Sequence, residues 1–129
     1  MKYQDPSSGT WYQVTDQGAR EGNYLESSAT ALFIYTLAKA INKGYIGNEY
    51  IEPTQKAFDG MVKTFTRLEE DGSYTITNCC AVAGLGGDSK RYRDGSFEYY
   101  ISEPIIENDP KSVGSFILAA IEYEKMTKK

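Results

Sequence analysis

Apolar residues recur at intervals of three and four in three stretches of this chain, and each stretch has polar end signals that fit a helix. From Ser27, the residues Ala29, Leu32, Phe33, Leu37, Ala40 and Ile41 lay one stripe along a helix, which Lys39 and Lys43 close with Gly44 as the stop. The pattern predicts a helix over 27–43. A second run holds Ile51, Phe58, Met61, Val62 and Phe65, with its start placed either at a cap on Asn48 or next to Pro53, whose missing N–H is tolerated only in a first turn. In the third, Asp109 is an N-cap, Pro110 suits the first helical position, and Val113, Phe116, Ile117, Ala120 and Ile121 form the apolar face. That helix is expected over 110–126.

The remaining pattern is not helical. Residues 1–22 are polar and rich in turn formers and read as a loop entering the domain, with Trp11 to Val14 as a short amphipathic stretch. Asp71-Gly72 between Thr66-Arg67-Leu68 and Tyr74-Thr75-Ile76-Thr77 predicts a two-stranded hairpin. Alternation after Asp94-Gly95 predicts a strand that puts Phe97, Tyr99 and Ile101 on one side, so that Tyr99 and Tyr100 point opposite ways. If successive helices are antiparallel, the first and third begin at one end of the domain, and the connection 66–109 returns to it. Free N–H groups at two helix N-termini there favour a carboxylate or other anion.

Composition narrows the chemistry. Eleven Tyr, five Phe and one Trp make 13% of 129 residues, a content that suits stacking on sugar rings or a core with hydroxyls at its edge. A net charge of −4, with basic residues clustered only at Lys125, Lys128 and Lys129, argues against nucleic acid as a partner. No apolar run approaches the roughly 20 residues that span a bilayer, so no membrane partner is expected and the chain reads as soluble; its compartment, bacterial cytoplasm or periplasm, stays open. Histidine is absent, which leaves acid–base chemistry to Asp, Glu, Tyr or Lys. Cys79 and Cys80 are adjacent, a geometry that strains a disulfide, and without His they supply no zinc set, so they are expected to be buried thiols.

Several segments then carry a resemblance. They are Gly9 to Val14, Asn23 to Ala29, Ala83 to Gly87, Arg93 to Tyr100, and Asn108 to Gly114. Their ordered set resembles the C-terminal part of the unsaturated rhamnogalacturonyl hydrolases, glycoside hydrolase family 105, and the related unsaturated glucuronyl hydrolases. The resemblance implies an all-α domain, part of an (α/α)6 toroid with a small β-hairpin insertion, of which residues 1–129 form an incomplete C-terminal portion. It implies hydration of the C4 to C5 double bond of an unsaturated uronic acid at the non-reducing end of pectin-derived oligosaccharides, with an Asp as acid and base and no metal or organic cofactor. That Asp belongs to the part of the family that precedes the matched segments, and no residue here, Asp5 and Asp16 included, is matched to it.

The expected role is therefore substrate positioning, with no catalytic residue assigned. Glu26 stands before the first helix as a cap or a pocket group, and Ser27 and Ser28 share the capping or face the pocket. Arg93 has the planar fork for a uronate carboxylate, or pairs with Asp94 or Glu98. Tyr100 is a stacking candidate if it is the exposed one of its pair. Lys111 opposes the dipole of its helix, a placement that marks function in some sites. Gly84, Gly86 and Gly87 permit a ligand's close approach or serve a tight loop with positive φ. The partner implied is an unsaturated uronyl oligosaccharide once the pocket is complete. The rival expectation is a catalytically inactive carbohydrate-binding or self-associating module, and a partial ring exposes helix faces that promote self-association.

Overall fold

The computed structural model describes residues 1–87 and 92–128, so Lys129 of the terminal basic group falls outside the described residues. Helices dominate. In chain order they are α1 (Ser27–Asn42), a 3-10 turn (Asn48–Tyr50) running into α2 (Ile51–Phe65), the short α3 (Phe97–Ser102), and α4 (Pro110–Thr127). α1 and α4 start where their end signals predict and finish within one residue of the predicted ends. Pro53 sits in the first turn of α2, where its missing N–H is of no cost, and Gly47 precedes the 3-10 turn.

α1 and α4 lie side by side and run the same way. Asn42 near the end of α1 donates to the Glu122 carbonyl at 2.9 Å, while the starts of the two helices share a cleft. α2 runs back against them: the Phe58 ring stacks on Tyr123 with centroids 3.8 Å apart, and the Phe65 carbonyl at its end accepts from the Thr77 N–H beside the start of α1. The two helices therefore begin at one end and α2 finishes there, as the alternation of directions predicts. The core is Trp11, Ala31, Ile34, Ala57, Met61, Phe65 and Ala119, with Leu25, Tyr35, Leu37, Phe58 and Phe116 packed against it.

The buried faces differ from the predicted ones. α1 buries Ser27, Thr30, Ala31, Ile34 and Ala38, and α4 buries Ser112, Ser115, Ala119 and Met126. Leu32, Phe33, Ile117 and Ile121, which the periodicity assigns to the core stripe, are 39–56% exposed. The physical reason is proximity: helices that approach closely want small residues at the seam, and bulkier side chains turn to the flanks. α2 follows its prediction more nearly, burying Met61 and Phe65 along with Thr54 and Ala57.

Two small antiparallel sheets finish the frame. β1 (Thr66–Leu68) pairs with β2 (Tyr74–Ile76) in the register Arg67 to Thr75, which is the predicted hairpin. β3 (Cys79–Cys80) pairs with β4 (Ile105–Ile106), a contact that sequence spacing does not signal. The predicted strand after Gly95 is corrected to helix α3, because the Ser96 hydroxyl accepts from the Tyr99 N–H and starts a helical turn. Tyr99 and Tyr100 consequently lie about 100° apart around a helix rather than on opposite faces. Their rings are 5.0 Å apart and both residues are half-buried.

The N-terminal loop is fastened across this bundle. Gln13 N–H donates to the Tyr24 carbonyl at 2.8 Å, and Trp11 N–H to the Thr30 hydroxyl at 3.1 Å. Gly60 in the middle of α2 has a packing reason, since a Cβ there would lie 1.8 Å from the Ser8 carbonyl oxygen. Any side chain at 60 would push the loop off the helix.

Candidate functional site

At the end where α1 and α4 begin, the residues Gln13, Glu26, Ser28, Ala29, Cys80, Ala81, Val82, Ala83 and Lys111 line a cleft of about 310 Å³. A larger trough of about 600 Å³ follows the outer side of α2, between the loop at Ser7 and Ser8 and the charged row Glu52, Lys56, Asp59 and Lys63. Volume does not decide between them. The trough is lined by solvated charges of both signs on one helix, whereas the smaller cleft gathers polar groups from four separated segments, which is how binding sites are built.

Glu26 organises the floor. Its carboxylate accepts from the Ala29 N–H at 2.6 Å, the Ser28 hydroxyl at 2.8 Å and the Cys80 N–H at 3.0 Å, and the residue is 1% exposed. It caps α1 and ties β3 to that cap. A carboxylate so engaged is an acceptor for its own chain, so Glu26 holds the cleft together and has no proton chemistry assigned to it. Ser27 lies just beneath: it is fully buried, its N–H donates to the Asn78 carbonyl at 2.9 Å, and its hydroxyl has no hydrogen-bond partner among the described residues. Ser28, not Ser27, reaches the cleft.

Lys111 closes the other side. Its ammonium donates to the Asp109 carboxylate at 2.7 Å and to the Ala81 carbonyl at 2.9 Å, so two of its three protons have acceptors in the chain. The hydrogen bond from Lys111 holds the Asp109 carboxyl below its ordinary value, and the same bond raises the Lys111 ammonium. Asp109 also caps α4 by accepting from the Lys111 N–H at 2.8 Å. Both helix N-termini are thus taken by carboxylates of the chain itself. The expectation that they offer free N–H groups to a substrate anion is corrected on that ground.

The thiols behave as expected of buried groups. Cys79 and Cys80 are free and buried, and burial, followed by the nearby Glu26 charge, pushes the Cys79 thiol up. Cys80 turns the opposite way along β3, toward the cleft, where the Gln13 amide donates to its sulfur at 3.2 Å. Burial also raises the Tyr24 phenol well above its ordinary range, with Cys80 and Glu26 adding to the effect.

Arg93 and Tyr100 do not line this cleft. Arg93 pairs by its backbone with Gly86, at 2.8 and 2.9 Å, and its Nη1 would stand 3.1 Å from a Cβ at Gly84. The Tyr99 hydroxyl accepts from the Gly84 N–H at 3.1 Å, and Tyr100 stands beside it. These residues support the loop 81–87, whose first part forms the cleft wall, from its other side. The proposed ion pairs are replaced: Glu98 pairs with Arg20, and the Asp94 carboxylate accepts from the Ser96 N–H at 2.9 Å. Gly86 and Gly87, at φ +73° and +125°, serve the loop's backbone. Gln13, Cys80, Ala81 and Val82 are lining residues that sequence reasoning passes over, because nothing in their spacing links positions 13, 26, 80 and 111.

Taken together, the cleft offers an amide, a hydroxyl and one ammonium proton beside an apolar wall of Ala81, Val82 and Ala83. Such a surface has the groups to hydrogen-bond a polyhydroxylated ligand and an apolar side to pack on it. No helix among the described residues is long and apolar enough to cross a membrane.

Comparison with known proteins places this architecture. The chain matches a solved glycoside hydrolase of family 105 from Clostridium acetobutylicum with a TM-score of 0.91 and 46% identity, covering 95% of this chain and 34% of that one. A possible member of the same family from Klebsiella pneumoniae matches with a TM-score of 0.74 and 28% identity, over 98% of this chain and 28% of that one. Among curated proteins, Protein Atu3128 of Agrobacterium fabrum and the 24.9 kDa protein in picA locus of Rhizobium radiobacter are each 37% identical over 119 residues. That alignment takes in 89% of this chain and 51% of theirs, so the chain spans about half the length of the curated relatives it matches. The model of Glycosyl Hydrolase Family 88 matches residues 1–127, and the chain belongs to that family of glycoside hydrolases, with family 105 enzymes as its structural neighbours.

Proposed function

We propose that this chain is the pocket-wall portion of a glycoside hydrolase that removes unsaturated uronic acid from pectin-derived, rhamnogalacturonan-type oligosaccharides. The single observation that carries this reading is the cleft at the joint start of α1 and α4, built by Glu26 and Lys111 in a chain whose family is that of glycoside hydrolases. The domain it belongs to is read as an (α/α)6 ring, of which α1 and α4 are neighbouring parallel helices.

Hydration of the C4 to C5 double bond adds a proton to one carbon and a hydroxyl to the other, and the resulting hemiketal opens to release the sugar. The step needs a group that gives a proton and receives one back. Among the described residues, Glu26 is the only carboxylate lining this cleft, and it accepts three hydrogen bonds from its own chain. The part played here is therefore positioning: Lys111 and Ser28 hydrogen-bond sugar oxygens, and the wall 81–83 packs on a ring face. Incubation of the pure 129-residue chain with an unsaturated uronyl disaccharide is expected to leave the double-bond ultraviolet absorbance unchanged. The same chain completed by the rest of a family domain is expected to abolish it, and an inert completed domain would sink the enzyme reading.

A second reading, a non-catalytic carbohydrate-binding or self-associating module, draws support from the exposed apolar residues of α1 and α4. Binding without turnover in the completed domain would favour it.

A further inference from the structure

The hydrogen-bonding groups of the cleft are unequal in kind. Ser28 gives its hydroxyl proton to Glu26, so toward a ligand its oxygen can only accept. Lys111 has given two of its three protons to Asp109 and the Ala81 carbonyl. The Gln13 amide turns one N–H on the Cys80 sulfur, which leaves its second N–H and its carbonyl oxygen. The open side-chain donors among the described lining residues are therefore one ammonium proton and one amide proton, beside acceptors on Ser28 and Gln13. A carboxylate brings only acceptors to such a surface, whereas a sugar hydroxyl both donates and accepts.

Charge separates the two further. Lys111 is the only cation lining the cleft among the described residues, and it is already paired with Asp109 at 2.7 Å. Glu26 adds a second carboxylate in the floor. One cation thus faces two carboxylates, and the partial positive charges of both helix N-termini are taken up by those same carboxylates. An entering uronate would meet like charge with no free counter-charge, which opposes its binding. The wall of Ala81, Val82 and Ala83, with Val82 41% exposed, offers most to a ring that turns a carbon without a hydroxyl toward it.

We infer that the cleft receives the neutral sugar next to the uronate, a 6-deoxyhexose whose hydroxyls bond Ser28, Gln13 and Lys111 and whose methyl group packs on Ala81 to Ala83, and that the uronate carboxylate lies outside. This rests on the function proposed above, which supplies a rhamnose beside the uronate; the donors and charges of the cleft choose between the two rings.

The test titrates the 15N-labelled 129-residue chain with three methyl glycosides at one ionic strength: the α-L-rhamnoside, the α-L-mannoside, which restores the 6-hydroxyl on the same ring, and the α-D-galacturonoside. The rhamnoside is expected to shift the amides of Ser28, Cys80 to Ala83 and Lys111, and the galacturonoside to bind there at least tenfold more weakly. The mannoside is expected to be roughly fourfold weaker than the rhamnoside, which is about 0.8 kcal/mol for one buried methyl-sized group. Asp109→Asn keeps an N-cap but removes the counter-charge of Lys111, and is expected to shift the preference at least threefold toward the galacturonoside.

A galacturonoside that binds at these amides as tightly as the rhamnoside overturns the inference and leaves the enzyme reading standing, with the cleft as a uronate site. An Asp109→Asn chain that keeps the parent's preference overturns it as well. So does silence of all three glycosides at about 100 mM. In that case the unsaturated uronyl disaccharide decides the rest: shifts at the same amides keep the enzyme reading, and their absence removes both. A rhamnoside-binding chain whose completed domain is inert on the disaccharide keeps the deoxyhexose site and sinks the enzyme reading.

Discussion

The two faces of α4 reverse the usual placement of residues. Toward α1 it buries Ser112, Ser115 and Ala119, and away from it Ile117, Leu118 and Ile121 meet solvent. The difference teaches that burial follows the distance to a neighbour as much as hydrophobicity. Two parallel helices in close contact favour small side chains on the α4 side of the seam, and hydroxyls survive there because they bond their own helix: Ser115 donates to the Lys111 carbonyl at 2.7 Å and Ser112 to the Asp109 carbonyl at 3.0 Å. Stability of the isolated chain is held by the small-residue side and the cap network, and the large-residue side contributes little to it.

Variants should separate the two. The largest loss is expected from Glu26→Ala, which strips the acceptor from the Ala29 N–H, the Ser28 hydroxyl and the buried Cys80 N–H; about 3 kcal/mol is expected, read by urea unfolding. An unchanged midpoint would mean that the tie between α1 and β3 carries nothing. Next comes Ala119→Leu at the fully buried seam, an overpacking expected to cost about 1–3 kcal/mol. If it is silent, the two helices are not in close contact.

Asp109→Asn is expected to have a smaller effect, with a defined pH dependence. The folded-state Asp109 carboxyl lies below its ordinary value of 3.8, through the hydrogen bond from Lys111, so its contribution is complete above that value and fades as pH falls through the lower folded one. The difference in thermal midpoint between Asp109→Asn and the parent should therefore be constant near neutrality and close below about pH 4. A difference that grows on acidification would contradict the sign. The smallest effect on folding is expected from Ile117→Glu, within about 0.5 kcal/mol, because the residue touches mostly water. A loss of several kcal/mol there would show that the outward face is part of this chain's own core.

Much of the fold is legible in the sequence, and the reasons are local. Asp109-Pro110 and the Lys-Gly end after Asn42 fix helix limits through capping chemistry within a few residues, and Asp71-Gly72 fixes a hairpin. Alternation at 97–101 misleads because Ser96 caps a helix whose six residues are too few for a 3.6-residue period to show. The stripes on α1 and α4 mislead because periodicity locates an apolar face without saying what covers it. Of the candidate site, Glu26 and Lys111 are found by their unusual place at helix starts. The place of Cys80 in the cleft depends on its contacts with Glu26 and Gln13, 54 and 67 residues apart in sequence, which no local pattern encodes.

The most direct test of the cleft is a titration of the 15N-labelled chain with an unsaturated uronyl disaccharide, followed by amide NMR shifts. The account predicts saturable shifts confined to the amides of Ser28, Cys80 to Ala83 and Lys111. Shifts centred on Lys56, Asp59 and Lys63 along α2, or none at millimolar sugar, would contradict it.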